Sequence, residues 1–165
     1  IQNAKIIFLE GYLWDEGDPK KAFDKAIVHS KKTAMSLSDL FCVNRHKPHF
    51  LELVKNQLNI IFANEQEILS LIDAKNFQEA ISFSKQIKKN IIITRGEKGA
   101  ISINHDEIIE VNAQSNLKIK DLTGAGDLFA AGYIHGVINN LDTRECLIKG
   151  TELSSKIIQK IGARI

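Results

Sequence analysis

Apolar residues along the chain recur in two alternating rhythms, short continuous runs and longer stretches with a period near 3.6. The runs at residues 5–9, 33–37, 59–63 and 91–95 carry Ile, Leu, Phe, Met and Ala in short blocks and predict buried strands. Between them lie periodic segments. One starts at Asp18-Pro19, an N-cap followed by proline at the first helical position, and runs to about residue 32 with Ala22, Phe23, Ala26 and Ile27 on one face. Others cover 48–58, 64–72 and 77–87. The resulting order β-α-β-α-β-α-α-β is that of an α/β protein with a mainly parallel central sheet, helices covering its faces in a three-layer α/β/α arrangement. The rhythm then changes. Residues 100–104 and 107–112 predict two strands joined by a tight turn at His105-Asp106, a loop covers 113–123, and helices follow at 124–138 and 143–161.

Composition adds limits. With 165 residues, 44% hydrophobic and 25% charged, the chain lies in the globular range and reads as one unit without an interdomain linker. A net charge of +2 is too small to point to nucleic acid or an anionic membrane as a partner. Uninterrupted apolar runs such as Ile6-Ile7-Phe8-Leu9 are too short for a membrane span, so a cytoplasmic location is expected. Cys42 and Cys146 form no disulfide framework. The spacing Cys42-x3-His46-x2-His49 lacks the fourth ligand that a structural zinc site requires. The five histidines share no spacing with a Ser or Cys nucleophile. Tyr12 and Trp14, just past the first strand, are suited either to core packing or to stacking on a ring.

Chemistry concentrates in Asp121-Leu122-Thr123-Gly124-Ala125-Gly126-Asp127, which leads into the apolar helix that continues Leu128-Phe129-Ala130-Ala131-Gly132. Backbone N–H groups of Gly124, Ala125, Gly126 and Asp127 would project from the helix N-terminus, where orphan donors and the positive dipole end favour an anion. Glycines leave room for a phosphate. Asp127 would set a carboxylate beside that anion, a placement suited to taking a proton from an attacking hydroxyl. The alternative is a glycine turn with an Asp in the first helical turn. A dinucleotide fingerprint fits poorly, because Phe129 occupies the position of its third glycine, and no Walker A loop occurs.

Two further sites lie at strand ends, where parallel sheets place ligands. Asn64-Glu65-Gln66-Glu67 reads as a capping box and, without conflict, as a pair that reaches phosphate oxygens or the water shell of Mg²⁺. Thr94-Arg95-Gly96-Glu97-Lys98-Gly99 reads as a glycine turn or as a phosphate-holding loop.

In order, Asn64-x-x-Glu67, Thr94-x-Gly96-x-x-Gly99 and Asp121-x-Thr123-Gly124-Ala125-Gly126-Asp127 resemble the ribokinase-like, or PfkB, family of carbohydrate kinases. The resemblance covers essentially the whole chain as the C-terminal part of a kinase domain, without the N-terminal part and the β-lid. It implies an ATP-dependent transfer of phosphate to a hydroxymethyl group of a sugar or nucleoside. Asp127 would be the catalytic base, and Gly124, Ala125 and Gly126 the anion hole. Asn64 and Glu67 would organise Mg²⁺ and the phosphates through water, and Thr94, Gly96 and Gly99 would approach ATP. Val111 to Gln114 and the last two helices would flank adenine. Asp121 and Thr123 are similar to positions whose oxygens hold a monovalent cation such as K⁺, although Leu122 stands where a small residue is usual.

The stretches Glu10-Gly11-Tyr12-Leu13-Trp14-Asp15 and Ser36-Leu37-Ser38-Asp39-Leu40-Phe41 resemble the adenosine-kinase-like branch. Many relatives form homodimers through the lid. A non-catalytic nucleotide-binding or regulatory module of the same fold is the alternative function. The isolated 165 residues are expected to have little or no kinase activity.

Overall fold

The computed structural model describes residues 1–15 and 18–165. Six strands form one sheet in the order β1 (Ile7–Glu10), β2 (Thr33–Ser36), β3 (Ile60–Asn64), β4 (Asn90–Thr94), β5 (Ala100–Asn104) and β6 (Glu107–Val111). Six α-helices accompany them: α1 (Pro19–His29), α2 (Leu40–Glu52), α3 (Glu65–Leu71), α4 (Phe77–Ile87), α5 (Ala125–Ile138) and α6 (Thr143–Ile157). β1 pairs with β2, and β2 with β3, in parallel, with Phe8 opposite Ala34 and Met35 opposite Ile61. This is the α/β fold with parallel pairing that the alternating runs imply. β5 and β6 are joined by the two-residue turn His105-Asp106, in which His105 has φ 56°, so the sheet is mixed rather than parallel throughout.

The described residues cluster into two compact units, Ile1–Ile93 with Ile103–Ile108, and Thr94–Ser102 with Ile109–Ile165. In the first, the β-branched and long apolar residues of β2 and β3 are fully enclosed, Met35 and Ile61 among them, together with Val43 and Phe50 of α2. Each such side chain contributes about 1.5–3 kcal/mol by leaving water. Trp14 belongs to this packing. Its ring meets Phe23 edge-on at 4.8 Å and lies 5.7 Å from His49 and 6.3 Å from His46. Core packing is therefore what the structure gives Trp14, while Tyr12 is half exposed at 52%. In the second unit, Phe129 and Tyr133 of α5 and Leu147 and Ile157 of α6 are buried.

Helix starts follow the side chains available. Asp39 accepts from the Phe41 N–H, Asn76 from Glu79, and Asp142 and Glu145 form a reciprocal box. These bonds satisfy donors that a helix end leaves orphaned. α1 opens with Pro19, which has no N–H to satisfy. α5 has neither device: its N-cap is Gly124, at φ 79°.

Several boundaries differ from expectation. The helix expected from Pro48 begins eight residues earlier, because Asp39 caps it at Leu40. Non-helical angles at His46 divide α2 into two pieces, and Pro48 opens the second, where its missing N–H breaks least. A single π-type turn at Leu53–Gln57 then closes it. α6 stops at Ile157 rather than 161, and β1 is displaced to Ile7–Glu10.

Candidate functional site

Three of the sequence motifs can be followed residue by residue. Asn64 ends β3 and caps α3. Its Oδ1 accepts the Glu67 N–H at 2.8 Å, its own N–H donates to Glu67 Oε2 at 2.9 Å, and its Nδ2 donates to Glu67 Oε1 at 2.6 Å. The capping box is therefore complete, and both Glu67 oxygens already accept a hydrogen bond. Only 5% of Glu67 is exposed. Burial pushes its carboxyl above the usual carboxylate range, the Asn64 N–H opposes this, and the nearby Asp39 charge adds to it.

The second motif leaves β4. Thr94 ends the strand, and Gly96–Lys98 makes one 3-10 turn, closed by the Gly99 N–H on the Gly96 carbonyl at 3.0 Å, while the Arg95 N–H donates to the Gly99 carbonyl at 2.8 Å. Gly96 has φ 57°, and a Cβ there would meet open space. Gly99 differs. With φ 89° it lies against the end of β6, where any Cβ would collide with the Val111 carbonyl oxygen. Gly99 and Val111 are thus joined by a close backbone approach.

The third motif forms the entrance to α5. The Ala125 N–H returns to the Leu122 carbonyl at 3.1 Å, and the Leu128 N–H to Gly124 at 2.9 Å. No acceptor among the described residues meets the N–H groups of Gly126 and Asp127. The Asp127 side chain is exposed and has no hydrogen bond or ion pair among the described residues. A Cβ on Gly126 would meet nothing within 4 Å.

Asp121 is held differently. One carboxylate oxygen accepts from Thr123 N at 2.9 Å and Thr123 Oγ1 at 2.7 Å, and the other from Gly162 N at 2.9 Å. These donors lower its pKa to about 2, the Thr123 hydroxyl contributing most.

A cavity of about 680 Å³ opens in the second unit. Thr94, Gly96, Gly99, Ala125 and Gly126 line it, so two of the three motifs converge there. Leu117, Ile119, Phe129 and Ile158 supply an apolar wall. Ala113 and Gln114 line it too, as does the α6 face carrying Thr151, Ser154 and Ser155. Asp121, Thr123, Gly124, Asp127 and Val111 are outside its lining, and Asn64 and Glu67 belong to the first unit. Leu117, Ile119 and Ile158 escaped the sequence reading. The first two lie in an aperiodic loop, and the only signal for Ile158 is its spacing from Thr151, Ser154 and Ser155.

The arrangement is an apolar-walled pocket with unpaired N–H donors and two exposed glycines at its polar end. Such a pocket suits a ligand with a flat apolar part and an anionic tail. Among the described residues no helix is long and apolar enough to cross a membrane.

The chain is similar to several known proteins. The solved adenosine kinase from Sinorhizobium meliloti is 36% identical and superimposes with a TM-score of 0.95, over 99% of this chain and 52% of that one. A probable sugar kinase from Rhizobium etli gives 36% identity and a TM-score of 0.94, over 99% of this chain and 51% of that one. The adenosine kinase of Saccharomyces cerevisiae is 26% identical over 98% of this chain and 52% of its own length. The nucleoside kinase of Methanocaldococcus jannaschii is 27% identical over 72% of this chain and 38% of its own. The chain thus spans about half the length, or less, of these relatives. The pattern of the pfkB family carbohydrate kinases matches residues 1–165 from end to end, and the chain belongs to that family.

Proposed function

We propose that the chain carries the nucleotide site and the catalytic base of an ATP-dependent kinase whose acceptor is a hydroxymethyl group on a nucleoside or sugar. The observation that carries this reading is that the N–H groups of Gly126 and the adjacent Asp127 meet no acceptor among the described residues, while Gly126, with open space beyond it, lines a cavity of about 680 Å³. The apolar wall takes adenine and the polar end takes the phosphates, with Thr94 and Gly96 on the phosphate side. Likeness to adenosine and nucleoside kinases favours a nucleoside acceptor.

In the proposed reaction the Asp127 carboxylate removes the proton from the acceptor hydroxyl. The hydroxyl oxygen forms a bond to the γ-phosphorus, the bond from that phosphorus to the β–γ bridging oxygen breaks, and ADP leaves. Little covalent work falls to the protein, so positioning and charge stabilisation dominate. A preorganised donor at developing negative charge contributes about 2.7–4 kcal/mol in comparable sites. Asp127 suits the base role because no partner among the described residues occupies it.

Mg²⁺ would neutralise phosphate charge. The roles of Asn64 and Glu67 toward it, through water, rest on the resemblance; each Glu67 oxygen accepts one hydrogen bond from Asn64 and keeps a second lone pair. K⁺ fits less well. Two of the three protein donors on the Asp121 carboxylate occupy Oδ1, leaving K⁺ one lone pair of Oδ2 beside main-chain oxygens of Asp121 and Thr123, and no step is routed through it. A cytoplasmic location belongs to the same proposal, as does dimerisation of the whole protein.

The test is a phosphotransfer assay of the whole protein with Mg·ATP and a panel of nucleosides and sugars. Transfer to one class of acceptor is expected. ATP binding without transfer to any acceptor would replace this reading with that of a non-catalytic nucleotide-binding module.

A further inference from the structure

We propose that Asp121 is a positioning residue, a clasp through which segment 158–163 is fastened to the turn that opens α5, the Gly162 N–H making the link directly and without a monovalent cation. The ATP part of this proposal rests on the function proposed above; the clasp itself does not.

Four contacts carry it, all within the second unit. The Lys120 and Asp121 N–H groups both donate to the Ile158 carbonyl, at 2.8 and 3.3 Å. The Gly162 N–H donates to Asp121 Oδ2 at 2.9 Å. Asp121 Oδ1 takes the N–H and hydroxyl of Thr123. A Cβ on Gly124 would come within 3.0 Å of Ala163 Cβ, so segment and turn also touch directly. Asp121 is thus the only side chain in this set that bonds both partners.

The arrangement explains two otherwise separate observations. α6 ends at Ile157, and the carbonyl of the next residue takes the 120–121 backbone N–H groups in place of the Gly162 N–H, its helical donor. Gly124 holds φ 79°, the left-handed geometry that turns the chain into α5 and leaves the Gly126 and Asp127 donors facing outward. Ile158 lines the cavity wall, so the clasp sets that wall and the donor turn in register. Three protein donors take three of the roughly four lone-pair sites of this carboxylate, two on Oδ1 and one on Oδ2.

The test uses the whole protein and hydrogen exchange of peptides covering 158–163, alongside ATP affinity by calorimetry. Asp121→Ala is expected to speed exchange there by about tenfold or more, as loss of bonds to a charged acceptor implies. Asp121→Asn, which accepts from Thr123 or Gly162 but not both, falls between. Thr123→Val, which keeps the Gly162 bond, stays within about threefold of wild type. ATP affinity weakens in the same order. Replacing K⁺ by tetramethylammonium at equal ionic strength leaves wild-type exchange unchanged. Slower wild-type exchange in K⁺, or wild-type exchange rates in both Asp121 variants, overturns the clasp. If Asp121→Ala fails to fold, Asp121→Asn decides. Wild-type protein that binds no ATP overturns the functional reading, while the exchange measurements still decide the clasp.

Discussion

Gly132 of α5 and Lys149 of α6 meet backbone to backbone: a Cβ on Gly132 would stand 2.5 Å from the Lys149 carbonyl oxygen. Gly150 against the Phe129 carbonyl oxygen repeats the approach at 2.8 Å along the same pair of helices, and a Cβ on Gly136 would stand 2.7 Å from the Cys146 Sγ. Alanine would improve helix propensity at Gly132 by about 1 kcal/mol, but the collision is with rigid backbone, and overpacking costs about 1–3 kcal/mol or more. Gly132→Ala should therefore lower stability, read as a reduced denaturation midpoint by circular dichroism. Trp14 lies in the first unit, so its fluorescence is a poor monitor of this change.

Gly126→Ala should behave in the opposite way. Nothing lies within 4 Å of the added methyl, so folding is unharmed and gains up to about 1 kcal/mol of helix propensity. The methyl would project where the phosphate is proposed to lie, and ATP affinity should fall about tenfold or more. Equal ATP affinity in the two proteins, measured by calorimetry, would remove Gly126 from the anion hole.

Asp127→Asn should abolish transfer while largely sparing ATP binding, with kcat falling at least about 10²-fold, the usual scale for loss of a general base. The substitution keeps the backbone donors and the size of the side chain. Turnover at the wild-type rate would end the base assignment.

Two carboxyl groups should act on stability with opposite pH dependence. Glu67 has a raised pKa, so the folded protein binds its proton more tightly than the unfolded chain does. Its contribution is fully present below the unfolded value and is lost as pH rises through the folded one. The stability of wild type relative to Glu67→Gln should fall as pH rises from about 4 toward neutrality. Asp121, lowered to about 2, contributes above its unfolded value, and that contribution is lost as pH falls toward 2. Urea titrations of both alanine or amide variants across this range read the two signs.

Much of the fold was legible because strand runs such as Ile91-Ile92-Ile93 and amphipathic segments such as Phe77–Ile87 carry one periodicity each. The start of α2 was not, because Pro48 is a strong local signal and Asp39 a weak one, and only packing of Cys42 and Val43 decides for the earlier start. The end of α6 was hidden for a different reason: the Ile158 carbonyl is used by residues nearly forty positions away. In the candidate site, Gly126 and Gly96 line the cavity with open space beyond them. Gly99 looks the same in sequence, yet it serves a close backbone approach.

The bare start of α5 has one more consequence. α2, α3, α4 and α6 close their first turns with a side chain and α1 begins with proline, but Gly124 has nothing to offer. Glycine in place of a capping side chain typically forgoes a few tenths of a kcal/mol. On the proposed function the nucleotide phosphate is that cap, so completing the helix and filling the pocket become a single event. The first turn of α5 would then exchange its amides freely until ATP arrives, and the ligand would be counted among the parts that fold the protein.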